Sequence, residues 1–431
     1  MNVKSKYKTS TCVLLGAVML LMLAFSAMLP EIAHADPGDL FVTIAGSSLD
    51  CTQADPCDLA TAILKVQDSD TIYLAAGTYN STSAAVVSLA EDVSLYGGWD
   101  GSITAPIVRD PNLHPTILDG QNARRVVDIS AGSAPVLDGL ILTNGYGDYS
   151  GGGVRSVSSH PTIQNCILQN NHADGDGGAI FINSGSAQIL DNQIINNSGN
   201  WAGGLRIINN AQVTVRGNFI SGNTASNSVG GIDIDCCGGS VVNVEGNWIT
   251  RNSGGAYGGG VAVVHTDAAL VNNIIAENTA SEGAGVYLAG MEGYTADVVM
   301  INNTLSGLSS SDHAIWLDQL ASAYLTNNIL SGFVTGIHDN DPINNMISAD
   351  HNLFYNTSDP VLGKDAIQAD PLLDTQYHLT NGSPAINAGI AVQNIIDIDG
   401  DPRPNGSYDL GADEYYPYTF LPFVINSAGD S

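Results

Sequence analysis

The 431 residues carry only 13 Lys and Arg against 43 Asp and Glu, a formal charge of −30, and include 48 Gly. A coiled coil would be rich in Ala, Glu, Lys, Leu and Arg, and nucleic-acid binding needs clustered Lys and Arg to neutralise phosphates; both are excluded. An apolar content of 44% also excludes disorder through low hydrophobicity.

The chain opens as a secretory signal peptide over residues 1–35. Lys4, Lys6 and Lys8 form the positive region, Val13 to Phe25 the apolar run, and Ala33-His34-Ala35 the cleavage site. Cleavage would leave 10 basic and 42 acidic residues. No later stretch reaches 18 apolar residues, so no membrane span is expected in the mature chain. The expected protein is secreted, at the cell surface or beyond it, and monomeric.

Residues 36–69 read as an N-terminal cap. Cys51 and Cys57 flank a Pro-containing loop and suit a disulfide in an oxidising compartment. Asp58 is a good N-cap for the amphipathic stretch Leu59 to Val66, which would cover an open first rung. Farther on, adjacent Cys236 and Cys237 are either a vicinal disulfide or reduced packing residues.

From residue 70 to 357 the chain repeats. Asn165, Asn192, Asn218, Asn247, Asn273, Asn303, Asn328 and Asn352 recur at intervals of 24–30 residues, with Gly139 beginning the series. Two positions beyond each lies an apolar residue: Ile141, Ile167, Ile194, Ile220, Ile249, Ile275, Leu305, Leu330 and Phe354. A second Asn follows at 144, 170, 197, 223, 252 and 278, and Gly-rich turns such as Gly177-Gly178 and Gly203-Gly204 complete each unit. A repeat of about 26 residues is too short for a propeller blade or a helical pair, and the leucine-rich frame is missing. It fits one rung of a parallel β-helix, in which equivalent residues stack. The apolar column then fills the interior, and the Asn columns form amide ladders at the bends. The fold class read from the sequence is all-β, a right-handed parallel β-helix (solenoid) with a short N-terminal capping helix.

The opening element Asp70-Thr71-Ile72-Tyr73-Leu74-Ala75-Ala76-Gly77-Thr78-Tyr79 and the rungs Leu95-Tyr96-Gly97-Gly98-Trp99, Ile117-Leu118-Asp119-Gly120 and Leu137-Asp138-Gly139-Leu140 resemble the pectate-lyase-like right-handed parallel β-helix superfamily, specifically its secreted bacterial repeat proteins. The Gly-Gly-Ala-Ile elements are also similar to polymorphic outer-membrane protein repeats. Residues 358–415, with Ser383-Pro384-Ala385-Ile386 and Asp409-Leu410-Gly411-Ala412-Asp413-Glu414-Tyr415, resemble the choice-of-anchor segment of secreted β-helix proteins, leaving 416–431 as a tail.

Strand alternation after each Gly turn puts Arg155, Phe181, Arg206, Asp233, Ala262, Tyr287, Trp316 and His338 on one outward face, with Asn183, Asp235 and Asp318 two residues on. Such an exposed column of aromatic, basic and acidic groups suits sugar, and the lyases this chain resembles use an outward face of the same kind. The resemblance further implies that catalysis would pair Ca²⁺, held by carboxylates such as Asp233 and Asp235, with Arg206 as base. The simpler reading is that Arg206 and Asp233 form a stacked ion pair. Lysine is missing between Lys65 and Lys364, which removes a Lys base from the repeats.

Asp397, Asp399 and Asp401 alternate around Gly400 as in calcium loops, although Tyr408 stands where an EF-hand would need Glu. Calcium is thus the one cofactor the sequence suggests. The function expected is a non-catalytic surface or matrix protein whose outward column binds extracellular polysaccharide or a surface protein. The alternative is a lyase or hydrolase acting on acidic polysaccharide.

Overall fold

The computed structural model describes residues 31–33, 38–235, 241–358, 362–393 and 396–417. The expected signal peptide up to residue 30, Cys236 and Cys237, and the tail beyond 417 lie outside the described residues. Residues 31–33, which precede the expected cleavage site, pair antiparallel with Ile107–Arg109.

The repeats wind into a right-handed solenoid of about 11 turns. Each turn contributes strands to three stacked faces. One rung reads Gln212–Arg216, Phe219–Ser221 and Ile232–Asp235, and each of these pairs in parallel with its equivalents before and after. The interior is a column of Val, Ile and Leu, for example Ile194, Ile220, Ile249 and Ile275, all without exposure. Parallel pairing forces this composition, because each inward position is enclosed by the rungs on either side of it.

Two Asn ladders hold the bends. In the first, the backbone N–H and Nδ2 of Asn192 both donate to Oδ1 of Asn218, at 2.9 and 3.0 Å, and Nδ2 also donates to the Ile163 carbonyl. The same pattern runs through Asn247, Asn273, Asn303 and Asn328 to Asn352. The second passes through Asn171, Asn197, Asn223, Asn252 and Asn278. Each amide satisfies backbone groups that the bend would otherwise leave buried and unpaired.

The first two repeats are offset by one residue from the expected alignment. Ile141 and Ile167 point outward and are half-buried, while Leu142 and Leu168 fill the interior. Cys166, not Asn165, occupies the ladder position and donates its N–H to Asn192 Oδ1. Likewise Asn171 stands in the second ladder in place of Asn170, and Gly145 in place of Asn144. Asn144, Asn165 and Asn170 instead take φ values of 51–55°, a left-handed conformation that Asn tolerates better than most residues.

The N-terminal end is capped, and the C-terminal segment covers a flank. At the N-terminal end Cys51 and Cys57 are disulfide-bonded and buried. The helix Leu59–Lys65 begins where Asp58 accepts a hydrogen bond from Thr61 N–H at 2.7 Å, and it buries Leu59 and Ala62 against the first rungs. At the other end the segment beyond 370 folds back along one flank. Leu379, Ala385 and Leu410 pack on Ile329 and Leu353, and Gly411 N–H donates to the Asn327 carbonyl at 2.7 Å. Ala412 N–H reaches Thr304 Oγ1 at 2.9 Å.

Candidate functional site

The outward column is in the expected register throughout. Arg155, Phe181, Arg206, Asp233, Ala262, Tyr287, Trp316 and His338 are successive cross-strand neighbours. Its expected exposure is corrected by the structure. Phe181, Asp233, Ala262 and Tyr287 are buried, at 4, 1, 0 and 5% exposure. Part of the cover comes from side chains on the Gly turns that fold over the strands. Trp201 lies over the Arg206 guanidinium at 5.8 Å, and the Tyr257 ring packs on Tyr287 at 4.8 Å between centroids. Val229, Ala262, Tyr287 and Ala289 make a small apolar cluster outside the main interior.

Arg206 sits at the centre of a carboxylate cluster. Its Nε is 3.2 Å from Asp176, Nη1 contacts Asp233, and Nη2 is 2.8 Å from Asp235. His265 Nδ1 approaches Asp235 at 3.3 Å. Burial opposes the charge on Arg206, but Asp233, Asp176 and Asp235 together hold its pKa above the ordinary value. Burial, reinforced by the charge of Asp235, pushes Asp233 up to about 7 in spite of Arg206. A base for proton abstraction must have a lone pair available near the working pH; this guanidinium is held protonated. A calcium ion in this cluster would stand beside the Arg206 guanidinium on which all three carboxylates converge, and the two cations would repel each other.

Elsewhere on the column Arg155 pairs with Asp128 at 3.2 Å. Trp316 and His338 are half-buried and lie against each other with centroids 4.1 Å apart, and His313 packs on both rings. Asp318 accepts hydrogen bonds from Tyr287 Oη at 3.0 Å and from Asn340 Nδ2 at 2.9 Å.

The expected calcium loop is also corrected. Asp397 is buried, and its Oδ1 accepts from the N–H groups of Asp399 and Asp401 while its Oδ2 accepts from Glu414 N–H. These bonds make a closed turn and leave Asp397 little capacity to bind a cation. Asp399 turns away to His378, whose Nε2 is 3.2 Å distant. Burial would lower the His378 pKa, but Asp399, Asp413 and Asp374 raise it to about 9.

The sequence reading missed the aromatic residues on the turns. Tyr149, Trp201 and Tyr257 are 69, 46 and 38% exposed. Their signal was an aromatic residue within two positions of a turn Gly at Gly151, Gly203 and Gly258.

With this geometry in view, comparison with known proteins agrees on the fold. A family model described as "Right handed beta helix region" matches residues 122–280. Among solved structures, pectate lyase Pel9A superposes with a TM-score of 0.57 at 16% identity, covering 89% of this chain and 98% of that one. The A-module of Azotobacter vinelandii mannuronan C-5 epimerase AlgE6 gives 0.35 at 16% identity, covering 75% of this chain and 89% of its own. A variant of the PL6 family alginate lyase AlyGC gives 0.40 at 15% identity, covering 88% and 59%. No curated protein sequence matches. The chain is a right-handed parallel β-helix, a fold it shares with pectate lyase Pel9A. Among the described residues no helix is long and apolar enough to cross a membrane.

Proposed function

We propose that the protein is an exported β-helix that binds extracellular polysaccharide along the strand column and its flanking turns without cleaving it. The observation that carries this reading is the division of the column. Around Arg206 three carboxylates, two of them buried, converge on one guanidinium that is held protonated. Toward the C-terminal end Trp316 and His338 offer half-exposed rings beside the polar groups of Asp318 and Asn340. Aromatic rings with adjacent hydrogen-bonding groups suit the apolar faces and hydroxyls of a sugar. The structural neighbours named as acting on pectate and alginate support a carbohydrate partner.

The test is a glycan array probed with residues 36–431, with unsaturated-uronate absorbance followed in parallel on pectate and alginate. Binding without turnover, weakened by Trp316→Ala, is expected. Turnover that disappears in Arg206→Ala and Asp233→Ala would replace this reading with a lyase.

A further inference from the structure

The turns beside the column form a stack of their own. Asp176 N–H donates to the Tyr149 carbonyl, Trp201 N–H to that of Gly175, Val229 N–H to that of Trp201, and Gly230 N–H to that of Gly258, the residue after Tyr257, all at 2.8–3.1 Å. Tyr149, Gly175, Trp201, Ser228 and Tyr257 therefore mark five successive rungs. Exposed aromatic residues occupy the first, third and fifth, and a Gly and a Ser occupy the rungs between. With rungs about 4.8 Å apart, the aromatic residues recur about every 10 Å along the axis.

Next to this edge runs an open groove of about 420 Å³, lined by His172, Asp174, Ser198, Asn200, Thr224 and Ser226. These polar residues recur on three successive rungs: His172, Ser198 and Thr224 are cross-strand neighbours, and Asp174, Asn200 and Ser226 follow each by two positions. The bend between groove and column thus borders two periods: one rung for the hydrogen-bonding groups of the groove, and two rungs for aromatic residues, of which Trp201 and Tyr257 rest on the column with part of each ring exposed.

We infer that the groove and its aromatic edge bind a neutral, extended polysaccharide with a two-residue repeat, such as a β-1,4-linked glucan, lying parallel to the solenoid axis. This deepens the glycan-binding reading and rests on it. In a two-fold chain each sugar is close to one rung long and presents hydroxyls at every step. The same sugar face returns to one side only at every second residue, matching the alternation of Tyr149, Trp201 and Tyr257 with small residues. Neutrality follows from charge: a chain of net −30 repels polyuronates.

Titration calorimetry of residues 36–431 with cellobiose, cellotetraose and cellohexaose tests the inference, with maltohexaose and a galacturonate hexamer as comparisons. Affinity should rise with cello-oligosaccharide length, and the two comparison sugars should bind at least about tenfold more weakly. Trp201→Ala should lower cellohexaose affinity by about tenfold or more, the loss typical of a central aromatic contact, while Trp201→Phe retains most of it. Tyr149→Ala and Tyr257→Ala should weaken the hexamer and leave cellobiose unchanged. A melting temperature for each variant close to wild type keeps these losses assignable to the surface. Equal affinity for cellobiose and cellohexaose, or no effect of Trp201→Ala, overturns the inference. If some glycan binds and only Trp316→Ala weakens it, the general function stands and this site falls; if no glycan binds, both fall.

Discussion

Replacing Asn247 by Ala tests the ladder at its centre. The residue has no exposure, and its Oδ1 accepts both Asn218 N–H at 2.9 Å and Asn218 Nδ2 at 3.0 Å. Its Nδ2 donates to the carbonyls of Val215 and Glu245 and to Asn273 Oδ1. In the Ala variant Asn218 Nδ2 keeps two other acceptors, but Asn218 N–H is left buried without a partner. An orphaned buried donor costs about 1–3 kcal/mol and each lost net bond about 1 kcal/mol, so the expected destabilisation is about 2–4 kcal/mol. Asn247→Asp adds a signed control. It keeps the acceptor but points a carboxylate at the two carbonyls and at Asn273 Oδ1. Its folded-state pKa should be raised by burial, so the variant should be weakest at neutral pH and recover toward pH 4. Urea unfolding followed by far-ultraviolet circular dichroism at pH 4 and pH 7 measures both. A loss below about 0.5 kcal/mol for the Ala variant, or no pH dependence for the Asp variant, would refute the ladder's energetic role.

Ile220→Asp places a charge between Ile194 and Ile249, all three without exposure, and should cost several kcal/mol; an unchanged melting temperature would contradict the interior assignment. Arg206→Met should destabilise by about 3–5 kcal/mol, because Asp176, Asp233 and Asp235 lose the cation they share. With Asp233 already raised to about 7, its protonated form favours the folded state, so stability falls as pH rises from about 4 to 7, and more steeply in this variant; denaturant midpoints across that range check the sign. His378, raised to about 9, contributes stability that is fully present below its unfolded value near 6.5 and is lost as pH rises through 9. His378→Gln should therefore flatten the decline in melting temperature between pH 7 and 10; an identical slope in both proteins would count against it.

Much of the fold was legible because a solenoid repeats its contacts along the sequence. The neighbour order from Arg155 to His338 followed from strand alternation alone, and it holds at every rung. The interior column was legible from Ile194 onward. It slipped at Ile141 and Ile167 because a left-handed bend, held by Gly139 and Asn165, stands next to the ladder position, and Asn suits both places. Where Cys166 fills the second, Asn165 in the first imitates it. Exposure was not legible. Tyr257 on a turn packs over Tyr287, and Asp233 lies under Arg206, whereas alternation describes only whether a side chain leaves the interior. The Asp397 turn misled for a related reason. Alternating carboxylates signal oxygen ligands, but the backbone N–H groups of Asp399, Asp401 and Glu414 took those oxygens first.

The Asn ladder separates what must be conserved in length from what is free. Successive ladder residues stand 26, 29, 26, 30, 25 and 24 positions apart from Asn192 to Asn352, yet each amide meets the next in the same geometry. Loops absorb the differences, while a one-residue shift at the ladder position itself would turn an adjacent strand inside out. Duplication or loss of a whole unit before Trp248 therefore adds or removes one rung and leaves the N-terminal cap and the docked C-terminal segment intact. The number of rungs, and with it the length of polymer the protein can span, becomes a quantity that selection can adjust in whole steps.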